Sequence, residues 1–177
     1  MNTQEKIDNI IKNSARYISS NLFCKEDNIY HRGRNSYLWT FLAYLYQKYK
    51  NPEILLQAEE SLKTYKNCFK LNENKYLILL PGLNNRTNYS TNSIDCGIFL
   101  DCINDLRKII KVPETLNKGA KEILCNYAFA KLKNRTPIHN QYLWLLTGFS
   151  RSINEIPKQD RELSKELIIQ VINYYYS

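Results

Sequence analysis

Few residues in this chain carry chemistry, and they group by position rather than by motif. The two histidines, His31 and His139, each stand just ahead of a strongly apolar run. Arg32, Arg34 and Asn35 follow the first, and Asn140 and Gln141 follow the second. A third group, Arg86, Tyr89, Asn92 and Asp95, leads into another apolar run. Imidazoles change charge near neutral pH, and a carboxylate placed beside them can trade protons. Asp95, His31 and His139 are therefore the candidates for catalysis. Arginine forks grip carboxylates, and amides and phenols bond to hydroxyls. Arg32, Arg34, Asn35, Arg86, Tyr89, Asn92, Asn140 and Gln141 are the candidates for holding a polar or acidic ligand. Each also has a purely structural role open to it: Asn, Ser and Asp cap helices, and arginines form surface ion pairs. The signal is their convergence, not any one of them.

Metal and cofactor chemistry finds no such support. The 5 cysteines, Cys24, Cys68, Cys96, Cys102 and Cys125, have no CxxC spacing, and no HExxH is present. Cys96 and Cys102 are rotated about 240° apart on a helix and cannot share one ion. No metal site and no cofactor are expected, and the thiols read as reduced, buried small hydrophobes.

The elements that must position the candidates are helices of two alternating kinds. Residues 36–49, 94–110 and 141–152 are apolar almost all round, which is the pattern of a helix buried on every side. Each is followed by a one-sided helix, at 52–67, 114–132 and 159–175, and an amphipathic helix at 3–20 precedes them all. The opening of the first buried helix, Asn35-Ser36-Tyr37-Leu38-Trp39, returns at the third as Asn140-Gln141-Tyr142-Leu143-Trp144. The middle one opens Asn92-Ser93-Ile94-Asp95-Cys96 in the same register. Each places Asn where a helix cap is expected. This is an internal repeat of inner and outer helices. The expected fold is all-α, with about seven helices in one domain over 1–177. It comprises an outer helix at 1–20 and inner/outer couples at 30–67, 92–132 and 139–176. One short β-hairpin is inserted near 68–80, pairing Tyr76–Leu80 with Cys68–Leu71. Inner helices joined in this way run parallel and pool their amino ends, each carrying about half a positive charge and unpaired N–H groups. All the candidates above fall at that rim.

The inner-helix openings HRGRNSYLWTFLAYLY, TNSIDCGIFLDCINDL and IHNQYLWLLTGF, with a short strand between, resemble segments of α/α-toroid proteins. That group includes six-hairpin glycosidases, polysaccharide lyases and sugar epimerases, and the resemblance runs over roughly residues 30–176. It implies a sugar bound where loops enter the inner helices, with catalysis by carboxylates or by His, Tyr or Arg. Three couples make half of a closed ring: an incomplete toroid that is truncated, open or closed by self-association. A facing pair of carboxylates, as hydrolysis requires, is not evident. Asp101 and Asp105 lie deeper than Asp95 and are spaced i, i+4 with each other.

The leading function is thus a carbohydrate-active protein that binds, and in its enzymatic form cleaves or epimerises, a polar or acidic sugar. The alternative is a non-catalytic helical-repeat module for a protein partner. A nucleic-acid binder ranks third. The charge is +8 with a pI near 9.2, but the basic residues do not line one helix face. The polar start MNTQEKIDNI lacks the apolar core of a signal peptide, and the longest apolar run, Tyr37–Tyr46, is too short to cross a bilayer. A cytoplasmic protein with no membrane partner is expected.

Overall fold

The first helix, α1 (Thr3–Tyr17), carries Glu5 in its first turn and Arg16 in its last, each complementing the helix dipole. The next, α2 (Tyr37–Tyr49), stops at Lys50, whose backbone is left-handed at φ 53 and ψ 26 and whose N–H donates to the Tyr46 carbonyl. Such a conformation costs a non-glycine residue roughly 1–2 kcal/mol. Asn51 then caps α3 (Pro52–Tyr65): its Oδ1 accepts the Glu53 N–H at 3.0 Å, and Pro52 takes the first helical position, where no N–H is needed. The computed structural model describes residues 2–17, 36–65, 69–72, 75–78, 80–82, 85–90, 93–134 and 139–176.

Where the spacing predicts one hairpin near 68–80, the backbone runs through two short antiparallel ladders. Strand β1 (Phe69–Asn72) pairs with β2 (Lys75–Ile78), setting Phe69 opposite Ile78. Strand β3 (Leu80–Gly82) pairs with β4 (Asn85–Ser90), with Leu80 opposite Ser90 and an irregular register at Pro81 and Gly82. The remainder is helical. α4 (Ser93–Leu106) is followed by α5 (Glu114–Glu122), which begins just after Pro113. α5 continues through a π-helical stretch, Ile123–Ala128, into α6 (Phe129–Asn134). α7 (His139–Arg151) leads by two 3-10 turns to α8 (Arg161–Tyr176). The described chain is predominantly helical, and none of its described helices is long and apolar enough to cross a membrane.

The centre of the molecule is α4, buried along nearly its whole length from Asp95 to Leu106. On one side lies α2, with Trp39 fully buried and edge-on to Phe99 at 5.8 Å between ring centroids. The Trp39 indole N–H is satisfied by Ser61 Oγ of α3 at 2.9 Å, so this large side chain is buried with its polar tip paired. On the other side lies α7, so close that the backbones touch. An added Cβ on Gly97 would stand 2.6 Å from the Leu145 N atom, and one on Gly148 would stand 2.8 Å from Leu100 Cβ. Only glycine leaves room for that approach.

The order of contacts fixes the directions. Along α4 and α7, Gly97 meets Trp144 and Leu145, Leu100 meets Gly148, and Asn104 donates to Ser152 at 2.8 Å, just past the helix. Both sequences climb together, so the two helices are parallel. α2 rises in the same sense. Tyr37 packs edge-on against Trp144 near the start of α7, and Thr40 donates to Asp105, which also binds Arg151 at the far end of α7. α3 returns antiparallel along α2: Trp39 bonds to Ser61, while Leu45 and Ile54 come together near the turn. α2 and α3 therefore form an antiparallel helical hairpin.

α1 departs from it. Gln4 reaches Tyr44, Asp8 accepts from Tyr44, Lys48 and Tyr49, and Lys12 lies over the Tyr49 ring at 4.3 Å. These contacts also climb together, so α1 runs alongside α2 in the same direction, not back along it as a hairpin partner would. The last inner helix is also less enclosed than its composition suggests. Leu143 and Trp144 are 46% and 39% exposed, because α7 is covered by α4, α6 and α8 on its other flanks. Trp144 is therefore an edge residue, whereas its counterpart Trp39 is core.

Candidate functional site

The amino ends of α4 and α7 lie level with each other. Gly97 is four residues into α4 and contacts Trp144 and Leu145, five and six residues into α7. The start of α2 is set deeper: Tyr37 meets Trp144, and Ser36 bonds to Cys102, nine residues into α4. Strand β4 ends at Ser90, three residues before α4 begins. Of the candidates, His31, Arg32, Arg34, Asn35 and Asn92 lie outside the described residues. Arg86 and Tyr89 are carried on β4, and His139, Asn140 and Gln141 make up the first turn of α7. Asn140 is not the residue ahead of its helix, as the repeat predicts: α7 already begins at His139. Two residues, His139 and Asn140, thus join the helix ahead of where the repeat alignment would start it.

Asp95 sits in the first turn of α4, where a carboxylate complements the helix dipole. It is 3% exposed, so its carboxylate faces protein rather than water. Its neighbour Cys96 is fully enclosed; burial above all, and then the Asp95 charge, push that thiol far above its ordinary range. Cys102, one and a half turns further on, is pushed up to about 12 by burial, against hydrogen bonds from Thr40 and Ser36. Neither thiol is a nucleophile at neutral pH. Among the described residues no group of three or more His, Cys, Asp or Glu side chains is placed to hold a metal ion.

Among the described residues a dense polar cluster lies at the opposite, carboxyl end. Arg151 binds both Asp101 and Asp105, with Nη2 at 2.6 Å from Asp105 Oδ1. Asp105 also accepts from Lys108 at 2.8 Å and Thr40 at 2.9 Å. Burial works to raise the Asp105 pKa, but the hydrogen bonds from Arg151, Lys108 and Thr40 outweigh it and hold the carboxyl below its usual value. Next to it, Arg107 joins Asn104, Asn117 and Glu155, tying α4 to α5 and to the turn before α8. With both carboxylates committed to one guanidinium, the cluster is a clamp across α2, α4 and α7 rather than an acid/base pair. The i, i+4 spacing of Asp101 and Asp105 was the visible signal for a shared partner; Arg151, 46 residues further on, was not.

A second feature is an open groove of about 460 Å³ between α1 and α3, floored by Ala15, Leu45 and Ile54 and edged by Lys12, Arg16 and Tyr49. Tyr49 is held in place by its hydroxyl, which donates to Asp8. No protein-family model, curated protein or solved structure matches the chain.

Proposed function

We propose that this chain is a helical-hairpin protein of α/α-toroid type that binds a polar or acidic sugar at the amino ends of its inner helices. The observation that carries the proposal is the distribution of first-turn charge. The outer helices α3, α5 and α8 each have an acidic residue there, Glu53, Glu114 and Glu162. The inner helices α2 and α7 have none, and α4 has only the buried Asp95. Parallel helix heads without their own carboxylates form a region of positive potential, suited to hydroxyl-rich or anionic ligands. Arg32, Arg34 and Arg86 would add forks for a uronate carboxylate. Turnover, if the site supports it, draws its proton transfers from Asp95, His31 or His139.

The test is a binding screen of neutral glycans and polyuronates at low and at physiological salt. Saturable binding to uronates, weakened by replacing Arg32 and Arg34 with Gln, supports the reading; no saturable binding to any glycan refutes it. For turnover, Asp95→Asn should abolish product formation with the fold intact. Loss of folding in that variant assigns Asp95 to the core. A second reading, a non-catalytic module for a protein partner, is favoured by one observation. Apolar side chains stand exposed on α1 (Ile7, Ile10) and α8 (Ile169, Ile172). A mass measurement in solution that finds a strict monomer binding no glycan would favour it.

A further inference from the structure

Trp39 and Trp144 stand at matching positions of the internal repeat, but the fold uses them differently. Trp39 is fully buried and its indole N–H donates to Ser61, so packing alone accounts for it. Trp144 is 39% exposed on α7. Its ring is nonetheless held in place. Tyr37, the first residue of α2, packs edge-on against it, with 6.0 Å between centroids and 72° between the planes. Its backbone is pinned by α4, since the Trp144 carbonyl fills the space that a Cβ on Gly97 would need. A helical side chain leans toward the amino end of its helix, so this indole covers the turn before its own Cα. α2 begins deeper than α4, with Ser36 bonded to Cys102, and so does not run up alongside that turn. A fixed aromatic surface thus stands near the amino ends of the inner helices.

An indole face and a pyranose ring are complementary. The ring's hydroxyls project mainly from its edge, while the C–H bonds of one face present partial positive charge to the negative face of the indole. The surroundings of Trp144 suit a molecule of that kind. Along its row of α7 it is followed by exposed Thr147 and by Arg151, which is bonded to Asp101 and Asp105. The exposed Leu143 lies about 100° around the helix and belongs to another face. An aromatic plane continued by a hydroxyl and a guanidinium matches a ligand that is apolar on one face and hydroxylated at its rim. We propose that Trp144, steadied by Tyr37, is the platform on which one face of a pyranose ring stacks. The proposal rests on the sugar-binding reading above and deepens it: the site selects pyranose units with an unbroken C–H face, neutral as well as acidic.

The chain has 2 tryptophans and Trp39 is sealed in the core, so changes in the solvent exposure of tryptophan report on Trp144. The full chain is titrated with trigalacturonate and, separately, with cellotriose, by calorimetry and by tryptophan emission. Binding should shift the emission to the blue and reduce its quenching by acrylamide, saturating together with the calorimetric signal. Trp144→Ala should weaken binding by about tenfold. Trp144→Phe keeps a smaller ring and should retain most of the affinity while losing the emission response. Circular dichroism checks the fold of both variants, and the quenching measurement on the parent chain decides the matter without them. Calorimetric binding with unchanged quenching, or full affinity in a folded Trp144→Ala, overturns the platform and leaves sugar binding at the rim standing. Saturable binding of neither glycan overturns the platform together with the reading it rests on.

Discussion

Replacing Gly97 by alanine tests the premise on which the inner layer rests. The new Cβ would stand 2.6 Å from the Leu145 N atom and closer still to the Trp144 carbonyl, whereas ordinary contact begins near 3.4 Å. All of these are backbone atoms, so no side-chain rotation relieves the clash. α4 and α7 would have to separate by about 1 Å, which on a dispersion potential forfeits about a quarter to a half of each affected contact. Buried Leu100 and Leu145 lie at this contact. Overpacking of this kind costs roughly 1–3 kcal/mol and occasionally more. The better helix propensity of alanine returns about 1 kcal/mol. Because the clash is with rigid backbone, the upper part of that range applies and a net loss of about 1–2 kcal/mol is expected. In urea, with a slope of about 2 kcal/mol/M, the midpoint should fall by about 0.5–1 M. Gly148→Ala meets Leu100 Cβ at 2.8 Å and the Gly97 carbonyl closer still, so it should destabilise similarly. The double variant should cost clearly less than the sum, because one separation relieves both clashes. A Gly97→Ala protein as stable as the parent, or more so, would show that the two backbones are not in contact and remove the paired helix heads from the argument.

Three further outcomes follow from named contacts. Lys50→Gly relaxes a left-handed residue and should raise stability by about 0.5–1 kcal/mol, read as a higher urea midpoint. Asp8 is held well below the usual carboxylate range by Lys48 first and Tyr49 next. Its contribution is therefore complete above the unfolded value near 3.9 and disappears as pH falls through the lower folded value. Tyrosine near-ultraviolet dichroism of the parent should fade in that acid window and that of Asp8→Asn should not. Burial raises the pKa of all three described thiols, but Cys96 and Cys102 are fully buried, while Cys125 is only partly covered. A thiol reagent at pH 8 should therefore modify Cys125 in the native protein and reach Cys96 and Cys102 only on unfolding, as peptide mapping would show.

Local signals in the sequence were read at close to residue precision. The helix expected at 36–49 is Tyr37–Tyr49, because its apolar run and the Asn51-Pro52 stop act within one turn of the chain. The one expected at 141–152 is His139–Arg151. What needed a distant partner was not legible. The direction of α1 depends on Asp8 meeting Tyr44, Lys48 and Tyr49, some 40 residues away, and an amphipathic pattern says which face is buried but not which way the helix runs. Gly97 and Gly148 look like ordinary weak points in helices until the crossing they permit is seen. Trp39 and Trp144 share a sequence context yet differ in burial, because a repeat predicts conformation while burial depends on a neighbour. At the candidate site, helical spacing placed Asp95 in the first turn of α4. Its enclosure came from the packing of the surrounding helices, which spacing does not encode.

The two ends of the inner layer answer the helix dipoles in opposite ways, and that contrast bears on where a ligand belongs. At the carboxyl ends, Lys48 lies in the last turn of α2 and Arg151 in that of α7. Arg107 and Lys108 follow directly on α4. Each of these four cations is also bonded to a carboxylate of the chain: Lys48 to Asp8, Arg107 to Glu155, Lys108 to Asp105, and Arg151 to Asp101 and Asp105. Partial negative charge there is balanced internally, and the balancing groups hold the helices together. At the amino ends the matching anions are missing from the first turns of α2 and α7, although the outer helices α3, α5 and α8 each have one. Stability alone would favour Asp or Glu at those positions by a few tenths to about 1 kcal/mol each. Introducing Glu at Leu38 is barred by its burial, but Gln141→Glu near the start of α7 is a direct probe. If the vacancy serves only the fold, that substitution raises the urea midpoint and leaves glycan binding alone. If it serves an anionic sugar, the same gain in stability comes with a loss of uronate affinity of about tenfold, because the new carboxylate occupies the potential the ligand needs.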